Sequence, residues 1–301
     1  MSQGYQARDA AIVDYQLWQP APDGGWLRGP RPDQLVPGSY FACVGAAQTF
    51  GCFVARPWPT LLQQQLGLPA LNLGIAGAGP ALFRNDALLQ LLRGARFVVY
   101  QVMSGRSADC SRFATGGHER VTLPDGRQLG AGAAWSELLQ QDLRGINNPV
   151  LRGIKNRLCA AFGRKHIRRL VAETQSNWSS DFRALIKDVA RPSALLWFSK
   201  RTPQHRPRYH SLEALFGEFP QLIDATMVRS LAAEADHYVE CVTSRGSPQP
   251  LAVPVRPADA GTGEAADLLW SHNAYYPSPE MHEDAAKALL GVVKGLSADS
   301  D

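Results

Sequence analysis

Between Tyr40 and Val242 the chain repeatedly runs through a short apolar stretch, stops at a glycine- or serine-rich turn, and continues with residues of helical period. A run apolar on both faces of the pleat suits a strand covered by helices on either side, and the intervening helix supplies a parallel connection. The pattern predicts an α/β fold of βα units on a mainly parallel sheet. Five strands are read at Tyr40–Gly45, Ala70–Leu73, Phe97–Met103, Ala194–Ser199 and His237–Val242. Helices are read near Trp58–Leu66, Ala81–Leu92, Val150–Ala190, Leu222–Ala235 and Glu280–Lys294. With 301 residues, 45% hydrophobic, the chain can bury one such domain over residues 39–301.

Two segments stand apart from this pattern. Residues 1–38 carry Pro20, Pro22, Pro30, Pro32 and Pro37 and read as an irregular arm draped on the domain, outside the chemistry. Residues 104–148 contain glycine clusters and a turn at Pro124-Asp125-Gly126, and read as an insertion at the end of the third strand. Between Arg144 and Arg169 stand eight cations and no acid: Arg144, Arg152, Lys155, Arg157, Arg164, Lys165, Arg168 and Arg169. This basic helical stretch, residues 150–170, is either a solvated face or a peripheral contact for a membrane surface or an acidic polymer.

The remaining composition is mostly exclusionary. No apolar run has the length of a signal peptide or of a bilayer span, so no transmembrane segment is expected. Cys43, Cys52, Cys110, Cys159 and Cys241 are scattered and odd in number, which argues against a disulfide framework or a zinc site and fits a reducing, cytoplasmic setting. A net charge of +4 does not by itself imply nucleic acid. No metal-ligand spacing or nucleotide-binding glycine loop occurs, and neither a metal nor a cofactor is expected.

Two blocks of sequence carry a resemblance. Val44-Gly45-Ala46-Ala47-Gln48-Thr49-Phe50-Gly51 follows a strand, precedes Trp58-Pro59-Thr60-Leu61-Leu62, and leads to Asn72-Leu73-Gly74-Ile75-Ala76-Gly77. Near the end of the chain stands Asn273-Ala274-Tyr275-Tyr276-Pro277-Ser278-Pro279, followed by His282. The order and spacing resemble the SGNH, or GDSL, hydrolase superfamily, and the chain is also similar to an uncharacterised family of bacterial proteins. The superfamily resemblance implies a three-layer α/β/α sandwich with a flavodoxin-like five-stranded sheet. It also puts the superfamily's nucleophilic Ser on Ala47, its Asp on Asn273 and its His on Tyr276. Gly77 keeps the oxyanion-hole glycine, and the third-block Asn falls on Gly105 or Arg106. Alanine has no oxygen to attack a carbonyl, and a phenol is a poor base at neutral pH, so conventional serine esterase chemistry is not expected.

A parallel sheet places ligands beyond the carboxyl ends of its strands. Those loops offer Gln48 and Thr49, Gly77 and Ala78, Ser104 and Arg106, Lys200 and Arg201, and Ser244 and Arg245. The cations either pair with local carboxylates such as Asp109, Glu218 or Asp236, or gather around a sulfate, phosphate or uronate. His272 and His282 flank the closing block and, with Tyr276 and Asn273, are the candidate catalytic groups; each histidine can equally be a structural hydrogen-bonder. His205 and His210 lie in a proline-rich stretch, 200–210, read as a mobile flap. Trp197 is expected in the core and Tyr275-Tyr276 at a pocket mouth. The leading expectation is a group transferase acting on an anionic carbohydrate or its precursor, because such transfer needs positioning, cations and one base rather than a protein nucleophile. One alternative is a catalytically inactive SGNH-like domain that binds a ligand or partner. Another is a hydrolase with a relocated nucleophile, Thr49 or Ser104.

Overall fold

The computed structural model of the protein describes residues 9–20, 25–141, 148–162, 165–255 and 269–298. Arg144 and Arg164 of the basic stretch lie outside the described residues, as does the side chain of Cys159. Its centre is a five-stranded, wholly parallel sheet of β1 (Phe41–Gly45), β2 (Ala70–Gly74), β3 (Val98–Gln101), β6 (Ser193–Ser199) and β7 (His237–Val242). The strands lie in the order β2-β1-β3-β6-β7. That is the flavodoxin-like arrangement, and it follows from right-handed crossovers running first one way and then the other from β1.

Alternate side chains of these strands feed two apolar layers. Ala42, Val44, Leu71, Val98, Tyr100, Leu195 and Trp197 pack under α3 (Asp86–Arg93), α6 (Lys165–Val189) and α8 (Ala225–Ala232). Phe41, Cys43, Val99, Leu196, Phe198 and Val239 pack under α2 (Trp58–Leu66) and α9 (Pro279–Ala298). The result is the three-layer α/β/α sandwich expected from the sequence. Between β1 and α2 lies the four-residue α1 (Ala47–Phe50).

Several boundaries differ from the sequence reading, each for a local reason. Helix 81–92 is divided into a 3-10 turn, Pro80–Arg84, and α3, because the Asn85 side chain accepts from Leu88 N and caps a new helix. Helix 222–235 shrinks to α8, since Asp224 caps it by accepting from Thr226 N and Met227 N. Residues 150–190, read as one helix or two, are two, α5 (Pro149–Phe162) and α6. The antiparallel pair β8 (Gln249–Val255) and β9 (Trp270–Asn273) was not anticipated, because Pro250 and Pro254 argue against a strand.

Residues beyond β3 build a third apolar cluster. β4 (Arg120–Thr122), β5 (Gln128–Gly130), α4 (Ala131–Gln141) and α7 (Leu212–Phe216) contribute Val121, Leu129, Trp135, Leu138 and Leu215 against Ile167 and Leu170 of α6. In the described part of the N-terminal arm, Tyr15, Trp18 and Leu27 are buried, and Trp18 pairs with Leu27 through two backbone hydrogen bonds. Arg28 is also buried, its guanidinium donating to the carbonyls of Phe50, Gly51, Val54 and Ala55 at 2.7–3.0 Å.

The closest backbone approach lies where β2 passes α1: a Cβ on Gly74 would stand 2.1 Å from Phe50 N. Backbone cannot rotate away as a side chain can. Gly74→Ala should therefore lower stability by about 3 kcal/mol or more. Thermal and urea unfolding measure it; a loss below ~0.5 kcal/mol would show that the strand and α1 separate more readily than this packing implies.

Candidate functional site

The turn after β1 is organised by a buried glutamine. Gln101, the last residue of β3, accepts through Oε1 from Ala46 N at 3.2 Å and from Thr49 Oγ1 at 2.7 Å. Next to it, Asn72 donates through Nδ2 to Thr49 O and accepts through Oδ1 from Gly74 N. Thr49 is wholly enclosed, with its hydroxyl committed to Gln101, so a nucleophilic role there is not supported by its surroundings. Gln48 is also buried, its Oε1 without a hydrogen-bond partner.

Ala47 heads α1 and is 6% exposed. Around it stand Val13 and Tyr15 from the arm, Phe50, Cys52 and Phe53, and Leu251 and Val255 of β8, with Tyr276 packed on the same cluster. The Tyr276 ring meets Phe53 edge-on at 5.8 Å. Polar bonds fix the shell: Tyr15 accepts from Phe53 N and donates to Asp9, while Gln249 donates to Phe53 O. Burial pushes the Tyr15 pKa up, so this hydroxyl stays protonated.

Asn273 uses both ends of its amide. Oδ1 accepts from Tyr275 N and Tyr276 N, and Nδ2 donates to Tyr276 O and to Gln249 Oε1. An aspartate could not make the last two bonds and would face two acceptors. Ala47 and Tyr276 share one apolar cluster, and Asn273 is bonded to the backbone of Tyr276. Gly77, at φ 68°, lies under Glu119, where an added Cβ would stand 2.5 Å from Glu119 Cβ. Its carbonyl accepts from Ser107 Oγ. Ala78 is buried in the main core, its N–H bonded to Ile75 O.

The cationic rim resolves into separate local attachments. Arg106 pairs with Glu119 at 2.7 Å, beside Ser104, whose Oγ accepts from Arg106 N. Arg245 is tied to Glu283, Asp284 and Glu280 O. Arg201 donates to the carbonyls of Glu218, Thr202, Pro220 and Ile223 and lies 4.9 Å over the Trp197 ring, and burial lowers its pKa to about 10. Lys200 donates to Ser247 Oγ and Ala274 O, its pKa lowered by desolvation. Of the two readings of these cations, local pairing or a shared anion, the contacts present are local ones for all four.

The histidines also separate. His272 is exposed on β9, its ring nitrogen 3.0 Å from Ser271 Oγ. His282 is fully enclosed: Nδ1 accepts from Trp58 N at the start of α2, and the ring stands 5.3 Å from that of Phe198. Nε2 has no hydrogen-bond partner. Burial, and secondarily Arg28, pull its pKa down to about 3. Of the two readings of this histidine, base or structural hydrogen-bonder, its bond to the start of α2 matches the second. His205, in the stretch read as a flap, is held against Leu215 O at 3.0 Å, and Arg208 N bonds Ala214 O.

One polar edge remains. Tyr275, 44% exposed, accepts from Gln221 Nε2 at 3.4 Å, while the buried Gln221 Oε1 has no partner. Gln221 O accepts from Gly105 N, and the Lys200 ammonium meets the carbonyl of Ala274 next to Tyr275. Sequence reading found Tyr275 and Lys200 but missed Gln101, Glu119 and Gln221. Only Gln101 left a signal, as an amide at the end of an otherwise apolar strand.

His282 makes stability depend on pH. Its folded pKa lies below the unfolded value of 6.5, so between about 3 and 6.5 the unfolded chain binds the extra proton. Its contribution is complete above pH 6.5 and is lost as pH falls, by at most about 1.4 kcal/mol per unit. Urea unfolding from pH 7.5 to 4.5 should show that slope in the wild type and a shallower one in His282→Gln. Equal slopes would mean that another group carries the acid sensitivity.

Several solved structures are similar to this chain. A family 2 carbohydrate esterase with a carbohydrate-binding domain, from Corynascus thermopiles (Myceliophthora fergusii), aligns at 13% identity and a TM-score of 0.40, over 92% of this chain and 70% of its own. A family two carbohydrate esterase from Clostridium thermocellum in complex with cellohexaose aligns at 10% and 0.39, over 90% and 67%. A lipase from a goat rumen metagenome aligns at 10% and 0.37, over 84% and 96%. No curated protein matches the chain. Residues 4–113 and 156–297 match the family described as Domain of unknown function (DUF6473), and the chain belongs to that family.

Proposed function

We propose that this chain is a non-hydrolytic SGNH-like domain that works by binding, with Ala47, Asn273 and Tyr276 replacing the superfamily's Ser, Asp and His. What carries the reading is the apolar cluster that holds Ala47, buried together with Val13, Tyr15, Phe53, Leu251 and Val255, where an acyl substrate would need open space. The expected transferase asks for uncommitted cations and a base at the same edge. Arg106, Arg201 and Arg245 are held by carboxylates or carbonyls, and His282 is enclosed, so the surroundings favour binding over transfer.

The ligand we assign is a small, hydroxyl-rich molecule such as a carbohydrate, neutral rather than anionic, at the edge of Tyr275, Gln221 and Lys200. An exposed aromatic face suits a sugar ring, and a buried amide oxygen without a partner suits a hydroxyl donor.

Two experiments test the two parts. Aryl esters should not turn over, fluorophosphonate probes should label nothing, and Ala47→Ser should restore neither while lowering stability by about 1–3 kcal/mol through burial of a hydroxyl. Stoichiometric labelling of Ser104 in the wild type would overturn the non-hydrolytic reading. For the ligand, a panel of neutral and acidic oligosaccharides is screened by thermal shift. Neutral sugars should raise the wild-type melting temperature, with the shift lost in Tyr275→Ala, whose half-exposed ring leaves folding intact. Stabilisation by acidic sugars alone, or equal shifts in both proteins, would remove the binding edge.

A further inference from the structure

α5 is unlike the other long helices. Every described side chain on it is exposed, including the four large aliphatic ones: Val150 at 67%, Leu151 at 58%, Ile154 at 51% and Leu158 at 54%. At about 100° per residue these four fall within one arc of about 100°. Lys155 and Arg157 stand on its two borders, with Arg152 on the opposite side. A helix with an apolar stripe facing water is ordinarily driven onto its own protein; this one is not.

The surrounding charge says what would cover the stripe. Residues 144–169 carry eight cations and no acid, a charge of +8, and the chain's +4 less this +8 leaves −4 on the remainder. The positive field is therefore concentrated at this one helical region. Lys165, Arg168 and Arg169 at the start of α6 extend it, all three exposed, with Arg168 lying 5.4 Å over the Tyr209 ring.

We propose that α5 lies on an anionic lipid bilayer, its aliphatic stripe among the acyl chains and its cations at the headgroups. A nucleic acid or acidic polymer would satisfy the cations but leave four aliphatic side chains in water, whereas a bilayer takes both. Fourteen residues make a helix about 21 Å long, short of the ~30 Å hydrocarbon core, and no described helix is long and apolar enough to cross a membrane. α5 therefore lies in the interface plane rather than spanning it. Long Lys and Arg stems bordering an apolar arc reach outward to headgroups while the arc stays immersed. The family match stops at residue 113 and resumes at 156, so half of α5 falls in a stretch that the match does not cover.

The test is vesicle co-sedimentation of the full chain. Vesicles of equimolar phosphatidylcholine and phosphatidylglycerol should bind it, and phosphatidylcholine alone should not. Binding should weaken as salt rises past physiological strength, where the screening length falls below about 8 Å. Leu151→Ser/Ile154→Ser/Leu158→Ser should weaken binding at least about tenfold while leaving the melting temperature unchanged, since all three positions are exposed. Lys155→Gln/Arg157→Gln should reduce it to a similar degree and remove part of the salt dependence. Failure to bind mixed vesicles would overturn the proposal. So would tight binding to soluble heparin that the serine variant retains, which identifies a polyanion site. A concentration-dependent dimer that the serine variant abolishes, without vesicle binding, would identify a second copy of the chain as the occupant.

Discussion

The Oε1 atom of Gln101 is where strand, turn and helix are joined. It holds Ala46 N and the Thr49 hydroxyl together at the mouth of β1, in a space so close that a Cβ on Gly45 would stand 2.4 Å from it. A parallel sheet leaves the first N–H groups after each strand without ladder partners, and here an amide from the adjacent strand satisfies one of them. Two consequences follow for everything beyond the strand ends. α1 begins at once, which directs Ala47 away from the sheet, and β2 must pass α1 at glycine distance, which Gly74 allows.

From that junction outward the surroundings of Ala47 agree with one another. A methyl at 47 suits an apolar shell; an amide at 273 suits a turn that offers two N–H groups and two acceptors; a phenol ring at 276 suits the edge of Phe53. None of these three residues is a strained leftover in its place. Each fits its neighbours through ordinary packing or complete hydrogen bonding, the kind of mutual consistency expected where side chains serve structure. By contrast, unpartnered buried amide atoms occur at Gln48, Gln101 and Gln221, all at the carboxyl end of the sheet. Polar capacity is thus kept at the edge where this architecture places ligands.

The sheet was legible because buried parallel strands write themselves as uninterrupted apolar runs: Phe41–Gly45 and Ser193–Ser199 are buried throughout. The edge strand β7 was legible for the opposite reason, since only Val239 and Cys241 face the core. What sequence could not convey was which partner each polar group would choose. Arg106 met Glu119, thirteen residues further on, and Arg245 met the first turns of α9, across chain separations that no spacing rule covers. For His282, at the start of the last helix, sequence left open a base or a structural hydrogen-bonder; its bond runs to Trp58 N, 224 residues away, a partner no spacing rule reveals. β8 was hidden by its own prolines.

Arg28 gives the N-terminal arm a different standing from that of a covering flap. Its guanidinium spans four carbonyls at the end of α1 and in the loop that follows, and lifting the arm would strip a buried charge of those acceptors at once. An arm so attached is expected to open with the domain rather than by itself. The amide hydrogens of Phe50, Gly51 and Val54 bond inward to Ala46, Ala47 and Gly51, and belong to the same locked unit. Their exchange with deuterium should proceed at the rate of global unfolding, so that arm, loop and first strand behave as one cooperative block despite their separation along the chain.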